Sequence, residues 1–379
     1  MLILEKINPK KNIKEIQKII TNATFENNIS YFLSWSWIEN WLMCLPETIP
    51  IIFFVLRDQG EPICAFFISN VRRRLKILAK VKTFNFNCTG INEYDLPLWI
   101  EYNSFWYSNR FNMKINDLIR MLPDEWDEME LPALSPDSYP GCEFNNLNGK
   151  TAIGGCGNFN IVVEKILPSY FVDLNSVRDN SMNYVGLLTA NSRSQIKKNY
   201  RLFNDNYGTI SIDEASTANI ALDYFDKLFQ LHKNSWQARE MKSNFIASFS
   251  YLFHRRLISN NFSNGEIQLL RIRAGEHELG YLYNFLYKNK AYFYQCAFNS
   301  FENKKLSPGI ISHVEAIKYN ANKMLNTYDF LAGHERYKSS LSTNNVNMKW
   351  IKIQKNSIKF RLENKIKSLY NRYKKNDYK

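Results

Sequence analysis

The order of helix-like and strand-like segments after Gly208 constrains the fold more strongly than any other feature of this sequence. In some segments the apolar residues recur at a spacing of about 3.6, in others they alternate with polar residues, and clear turn signals separate the two patterns. The patterns predict a strand, two helices, three strands, a helix, a strand, a short helix and a last strand. These segments are GTISIDEAS, ANIALDYFDKLFQLHKNSWQ, NFIASFSYLFHRRLISN, IQLLRIRA, ELGYLYNFLYK, KAYFYQCAF, GIISHVEAIKYNANKM, TYDFLAG, ERYKSSLS and NMKWIKIQ.

The three consecutive strands are joined by the short turns GEHE and KNK, which is typical of an antiparallel meander. Helices separate the remaining strands. The predicted fold class is therefore α+β, with a mixed, mostly antiparallel central sheet flanked by helices.

The first half of the chain repeats this order more loosely. Its segments are MLILEKI, KNIKEIQKII, SWIENWLMCL, PIIFFVLRD, PICAFFISNVRR, RLKILAKVKTFNF, a helix around SFWYSNRFNMKINDLIRML, WDEMELPAL and NFNIVVEKI. The halves share no obvious sequence identity, so the duplication is inferred from element order alone. We expect an N-terminal domain over 1–175, a linking helix within 176–207, a C-terminal domain over 208–355 and a basic helix or tail over 356–379.

Length and composition agree with a folded two-domain protein. The chain has 379 residues, 45% of them hydrophobic, with no apolar run long enough to span a bilayer and no signal-peptide pattern at its start. Its cysteines are scattered at positions 44, 64, 88, 142, 156 and 296 without a C-x-x-C pair, which favours free thiols in a reducing compartment. A cytoplasmic protein is the expectation.

A formal net charge of +13 suggests an anionic partner. Charge alone does not decide whether that partner is a nucleic acid, a membrane surface or a phosphorylated ligand. Much of the excess lies after Lys349, where Ile358, Leu362, Ile366 and Leu369 recur at helical spacing among Lys and Arg. One interpretation is a surface helix that docks on its own domain. The other is contact with an anionic membrane or an acidic partner.

Six segments of the second half carry a resemblance to a known family: NSRSQIKKNYRLF, LHKNSWQAR, GYLYNF, YFYQCAF, LSPGIISHVEAI and YDFLAGHERYK. Together with FLSWSWIENW and WIEYNSFW in the first half, they resemble the CelD-like or FemAB-like GNAT acyltransferases of bacteria. The resemblance implies two tandem GNAT-like domains, the first of them degenerate. It also implies acyl transfer from acyl-CoA, or from the phosphopantetheine arm of an acyl carrier protein, to an amine of a small molecule, a sugar or an envelope precursor.

A small-residue turn precedes the third predicted helix of the second half. Backbone N–H groups at a helix start can bind phosphate oxygens, although Ser-Pro-Gly also opens many helices that bind nothing. In GNAT domains the corresponding turn holds the coenzyme A pyrophosphate, so the resemblance implies a cofactor-binding role. The residues concerned are Lys305, Ser307, Pro308, Gly309 and Ile310.

Acyl transfer from a thioester needs a base for the amine proton, donors for the oxyanion and an acid for the leaving thiolate. GNAT enzymes often place a tyrosine acid on the short helix after the fifth strand, which implies Tyr337; the alternative is that Tyr337 only packs. Glu335, His334 and His313 compete for the base role. Asp329 is expected to orient Arg336, to bind the amine or to cap buried amides.

Candidate substrate residues lie on two helices. His232 and Trp236 are four residues apart and hence on one helical face, where they can line an acceptor pocket or pack in the core. Arg193 and Lys197, with Lys198 and Arg201, can meet a phosphate or simply face solvent. No metal is expected, because the five histidines lack ligand spacing.

Two other functions compete with acyl-CoA-dependent transfer. A FemAB-type aminoacyltransferase would use charged tRNA, and a net positive charge suits that polyanion. A non-catalytic accessory protein of envelope polysaccharide biosynthesis would keep the fold without the chemistry.

Overall fold

A computed structural model describes residues 1–21, 25, 29–75, 79–135, 153–156 and 159–376. Cys142 and the last residues of the tail, 377–379, lie outside this range. The strands are β1 (Leu2–Ile7), β2 (Ile51–Asp58), β3 (Glu61–Arg74), β4 (Lys80–Phe86), β5 (Trp106–Tyr107), β6 (Glu128–Leu134), β7 (Ile153–Cys156), β8 (Phe159–Asp173), β9 (Ile210–Glu214), β10 (Ile267–Ala274), β11 (His277–Tyr287), β12 (Lys290–Phe298), β13 (Thr327–Ala332) and β14 (Asn344–Lys355). The helices are α1 (Ile13–Ile20), α2 (Trp35–Cys44), α3 (Asn92–Leu98), α4 (Ile115–Met121), α5 (Leu174–Asp179), α6 (Ala190–Tyr207), α7 (Ala218–Gln237), α8 (Ser248–Asn261), α9 (Pro308–Asn322), α10 (Arg336–Leu341) and α11 (Ile358–Asn376).

The element order predicted for the second half is confirmed, from β9 through α7, α8, β10, β11, β12, α9, β13 and α10 to β14. The first half differs in detail. Only residues Ile115–Met121 of the predicted SFWYSNRFNMKINDLIRML helix are helical, because Trp106 and Tyr107 pair with β3 instead. Strands β8 and β14 run longer than their predicted apolar runs, since both cross the middle of the sheet.

All strands join one sheet whose main path is β1-β2-β3-β4-β6-β14-β8-β13-β12-β11-β10-β9. Two strands are exchanged between the halves. Strand β8, from the first half, pairs with β13 of the second, and β14, from the second, pairs with β6 of the first. The exchanged strands pair with each other from Asn344–Phe171 to Lys355–Phe159. The sheet is therefore continuous across the two halves.

Helices cover both faces of this sheet. On one face α1, α2, α7 and α8 share a single apolar core that spans both halves. Trp37 of α2, for example, packs edge-on against Phe253 of α8 and Phe285 of β11, at ring-centroid distances of 4.8 and 5.6 Å. On the other face α4 covers the first half, while α5, α6 and α9 cover the second.

Within the described residues, each half contains one parallel strand pair that separates into a wedge. Strands β12 and β13 hold register from Lys290–Thr327 to Tyr292–Asp329 and then diverge. Strands β4 and β6 hold register only from Thr83–Glu128 to Asn85–Glu130. A wedge exposes backbone groups that a sheet would otherwise pair, so whatever lies in it must satisfy them.

The chain itself fills the first wedge. Buried Asn103 donates its backbone N–H to Ala133 O (2.9 Å) and its side-chain amide to Phe86 O (3.1 Å), and its side-chain oxygen accepts from the Asn87 amide (2.8 Å). These bonds reach from one diverging strand to the other. Asn103 therefore bridges the two diverging strands and has a structural role.

Candidate active site

The second wedge contains a cavity of about 380 Å³. Successive residues of each strand line it from opposite faces of the sheet: Tyr294 and Leu331 belong to the core under α7, and Phe293 and Phe330 to the core under α9. The cavity therefore lies between the strands. Its lining residues are Leu96, Pro97, Trp99, Glu101, His232, Trp236, Lys242, Ser243, Asn244, Phe245, Phe293, Tyr294, Gln295, Cys296, Phe330, Leu331, Ala332, Glu335, Tyr337 and Lys338.

The first half contributes Glu101, a residue that sequence reasoning missed. Its carboxylate is fully buried, accepts the Ala332 N–H (2.6 Å) and accepts the indole N–H of Trp99. Burial raises the pKa of Glu101 to about 7, although these hydrogen bonds and the Lys338 ammonium oppose the rise. A carboxyl group that titrates near neutral pH in a cavity is suited to proton transfer.

Trp99 holds Glu101 from a strained backbone position. It ends α3 with a φ of 45°, in the left-handed region that residues with a side chain seldom occupy. Its indole both lines the cavity and binds the carboxylate. In the sequence, Trp99 and Glu101 were noticed only as part of the family-like segment WIEYNSFW. That resemblance gave no reason to single out the carboxylate of Glu101.

Lys338 and Glu101 bind the same residue from opposite sides. The buried Lys338 ammonium donates to Ala332 O (2.9 Å), while Glu101 accepts the Ala332 N–H. Lys338 also lies 3.4 Å from the Glu335 carboxylate, which lines the cavity and is mostly exposed. Two carboxyl groups and one ammonium thus surround the end of β13. His334 and Arg336 are exposed and do not line the cavity.

Tyr337 lines the cavity and stacks on His313, with centroids 5.2 Å apart and rings inclined by 14°. Burial raises the pKa of Tyr337 well above its ordinary value, so its phenol stays protonated. His313 lies behind it, buried, with Nδ1 3.2 Å from the Tyr328 hydroxyl. Burial lowers the pKa of His313 to about 3, which keeps the imidazole neutral. The stack separates His313 from the cavity.

Asp329 is enclosed below the cavity and does not contact Arg336. Its carboxylate accepts from the hydroxyls of Tyr102 (2.5 Å) and Ser169 (3.3 Å) and from the Leu331 N–H (2.8 Å). Burial raises its pKa, and the same hydrogen bonds limit the rise. Because Tyr102 directly follows Glu101, Asp329 anchors the segment that carries the cavity carboxyl.

His232 and Trp236 both line the cavity, on the side of α7. Their rings stack at 5.5 Å, and His232 Nε2 lies 2.9 Å from the Ser243 hydroxyl. Burial lowers the pKa of His232, partly offset by a hydrogen bond to the Cys296 backbone. The face of α7 that carries His232 and Trp236, which was predicted to line an acceptor pocket, therefore lies next to the wedge.

The predicted phosphate turn lies at the start of α9, close to the cavity wall. Ser307 donates its N–H to the Asn199 side chain of α6 (2.7 Å), and Pro308 occupies the first helical turn. A Cβ on Gly309 would come 2.9 Å from the ring of Phe298. Phe298 in turn packs against His313, 6.3 Å between centroids, so aromatic rings lead from this turn to the cavity. Ile310 is partly exposed, and Lys305 is exposed.

Arg193 and Lys197 do not line the cavity. Arg193 donates to Leu188 O (2.7 Å) and thereby closes the turn before α6, and Lys197 is exposed on that helix. Among the residues described, His, Cys, Asp and Glu nowhere gather in a group of three that could hold a metal ion. No helix within the described ranges combines the length and apolar character needed to cross a bilayer.

The sequence model of the acetyltransferase (GNAT) domain family matches residues 190–339, which include α6, α7, the meander, the wedge and most of α10. This part of the chain is a GNAT acyltransferase domain. The GNAT family and the fold class predicted from the sequence are thereby confirmed. No curated protein matches the sequence.

Solved structures share this fold at low sequence identity. FemX aligns with a TM-score of 0.53 at 9% identity, covering 93% of this chain and 97% of its own. The C-terminal domain of a putative lysylphosphatidylglycerol synthetase from Agrobacterium fabrum aligns at 0.51 with 9% identity, covering 92% and 94%. A tandem GNAT protein from the clavulanic acid biosynthesis pathway aligns at 0.45 with 10% identity, covering 94% and 98%. The likenesses to FemX and to the lysylphosphatidylglycerol synthetase domain concern the fold alone.

Proposed function

We propose that this GNAT acyltransferase moves an acyl group from a thioester in the second wedge to an amine bound beside Glu101. The observation that carries the proposal is Glu101 itself, a buried carboxyl group with a pKa near 7 that shares one cavity with the protonated phenol of Tyr337. The acceptor is an amine of a small molecule, a sugar or an envelope precursor. The carboxyl groups of Glu101 and Glu335 are suited to bind this amine in its cationic, protonated form.

Each proton and bond of the reaction has a place in this cavity. Glu101 removes a proton from the ammonium group, and the free amine attacks the thioester carbonyl carbon. The C–N bond forms, the C–S bond breaks, and Tyr337 donates its phenolic proton to the leaving thiolate. The resulting phenolate takes the second proton from the attacking nitrogen as that nitrogen becomes the amide nitrogen, and Glu101 releases its proton to solvent before the next turnover.

A backbone donor is available for the carbonyl oxygen. The N–H of Cys296 donates to the side-chain oxygen of the preceding Gln295 (2.9 Å), on the wall of the cavity. We assign this N–H to the developing oxyanion, with the Gln295 side chain rotating away when the thioester binds. A donor aimed at developing charge in a water-poor site is worth several kcal/mol.

The donor is acyl-CoA or the phosphopantetheine arm of an acyl carrier protein. Its phosphates would bind at residues 307–310 with Lys305 nearby, and its arm would follow the Phe298 ring into the wedge. The first domain, over 1–175, would be degenerate in this scheme, because Asn103 fills its wedge, and the second, over 208–355, would bind both substrates. We also propose, as the sequence predicts, that the enzyme is cytoplasmic.

The test combines binding and turnover. We expect coenzyme A to raise the thermal midpoint, and Gly309→Glu to abolish the shift by adding both bulk at Phe298 and an anion at the helix start. Acetyl-CoA and longer acyl-CoAs are then assayed with a panel of amines and amino sugars, with products identified by mass. The phosphate seat is wrong if no acyl-CoA gives a shift and Gly309→Glu changes nothing.

Other outcomes identify the competing functions. Salt-sensitive tRNA binding and transfer from aminoacyl-tRNA, without a response to acyl-CoA, would indicate the FemAB-type reaction. Full complementation of a deletion strain by folded Glu101→Gln and Tyr337→Phe variants would indicate a non-catalytic accessory protein.

A further inference from the structure

Helix α11 docks on the first half of the chain through its polar side. Lys359 lies 2.7 Å from Asp127, Lys367 lies 3.0 Å from Glu164, and the Asn364 amide donates to Gln354 (2.9 Å). Phe360 also lies on this side and is fully buried in a small cluster with Leu75 and Val81 of the β3–β4 hairpin. These contacts fix which side of the helix faces solvent.

The solvent-facing side is apolar. Ile358, Leu362, Ile366 and Leu369 are 73, 48, 40 and 54% exposed, respectively. At about 100° per residue, their spacings of four, four and three place them in one stripe along the helix. Surface helices normally bury such a stripe against their own domain. Here the helix does dock on the rest of the chain, but through the opposite side.

Cations flank the stripe. Arg361 and Lys365, one turn apart, are both exposed, and neither forms an ion pair with any residue that the structure describes. An apolar stripe bordered by cations is the pattern of a helix that lies in the interface of an anionic membrane.

We infer that α11 seats this protein on an anionic lipid surface. The stripe would enter the boundary between headgroups and acyl chains, and Arg361 and Lys365 would meet lipid phosphates. A second copy of the chain is a poorer occupant, because two-fold pairing of the stripes would bring the same cations together on a molecule of net charge +13. This inference stands independently of the proposed reaction.

The helix lies on the side of the sheet where Trp99 lines the cavity. Lys367 of α11 binds Glu164, which lies 3.7 Å from Lys352. Trp350 is two residues from Lys352 on β14 and so on the same face, and the Lys165 ammonium lies 4.8 Å from the Trp350 ring and 5.3 Å from that of Trp99. Seating through α11 therefore brings this side of the sheet toward the lipid.

Co-sedimentation of the full chain with vesicles tests the inference. We expect binding to phosphatidylcholine vesicles that contain about 30% phosphatidylglycerol, and weak binding to phosphatidylcholine alone. Leu362→Gln and Ile366→Gln should each weaken binding about tenfold, the effect of losing about half of a buried side chain. Arg361→Gln should weaken binding only to the anionic vesicles, by about fivefold.

Leu252→Gln is the matched control, since Leu252 is 63% exposed on α8, outside the stripe, and its change should leave binding intact. Because the stripe residues are exposed, none of these variants should lower the unfolding temperature. Binding that is absent, equal for both vesicle types, or equally reduced by Leu252→Gln would overturn the inference. A dimer that Leu362→Gln dissociates, without vesicle binding, would overturn it in favour of self-association.

Discussion

Replacing Glu101 with glutamine tests the proposed base while leaving its shape nearly unchanged. Burial raises the pKa of Glu101 from 4.5 to about 7, which corresponds to about 3 kcal/mol. Between these values the unfolded chain is ionised and the folded chain is protonated. The wild-type protein should therefore lose up to about 3 kcal/mol of unfolding free energy as pH rises from about 4.5 to 7, and little more above that.

Glutamine removes this dependence. At pH 8 the variant avoids burying a charge but leaves the Trp99 indole N–H without a good acceptor, two effects of about 1–3 kcal/mol that oppose each other. Its stability at pH 8 should therefore lie close to that of the wild type. Loss of a general base should nevertheless lower kcat/KM by about 10² to 10⁴.

The assay is the pH profile of kcat/KM, measured beside urea unfolding at pH 5 and pH 8. The wild-type rate should rise through pH 7 as Glu101 ionises, and the variant should lose this limb. A Glu101→Gln enzyme with kcat/KM within about threefold of wild type at pH 8, or with the same rising limb, would refute the assignment. A variant that is much less stable at pH 8 would contradict the energetic argument instead.

Three further predictions concern the wedges. Tyr337→Phe should lower kcat by about 10² with KM nearly unchanged, in steady-state assays, because the stack on His313 survives and only the proton donor is lost. Gly309→Ala should weaken coenzyme A binding in calorimetry less than Gly309→Glu does; equal effects would mean that the added charge is irrelevant. Asn103→Ala should lower the unfolding free energy by about 2–4 kcal/mol in urea titrations, because it leaves the buried Phe86 carbonyl and the Asn87 side-chain amide without their hydrogen bonds to Asn103.

Local sequence patterns predicted the strands and helices because amphipathic period and turn chemistry are properties of neighbouring residues. They did not predict the exchange of β8 and β14, because the pairing of these strands depends on residues distant in the sequence. The apolar runs in NFNIVVEKI and NMKWIKIQ suit any central strand equally well. The two short helices α3 and α5 were missed.

The residues of the candidate site were likewise predicted only in part. Tyr337, Glu335, His232 and Trp236 were predicted to lie near one another, and the cavity brings all four together. The family resemblance pointed to Tyr337 and Glu335, and helical spacing placed His232 and Trp236 on one face. His313 and Asp329 were predicted near the same place, but the sequence carried no sign that the Tyr337 ring and the Tyr102 hydroxyl would enclose them.

By itself the sequence determined the fold class, the family and the short stretch around Tyr337 where chemistry was to be sought. Only the tertiary structure decided that the first wedge is filled by Asn103, that the second is open and that Glu101 reaches it. The physical reason is distance along the chain. The pKa of Glu101 depends on Ala332 and Lys338, more than two hundred residues away, and on the burial that their approach creates.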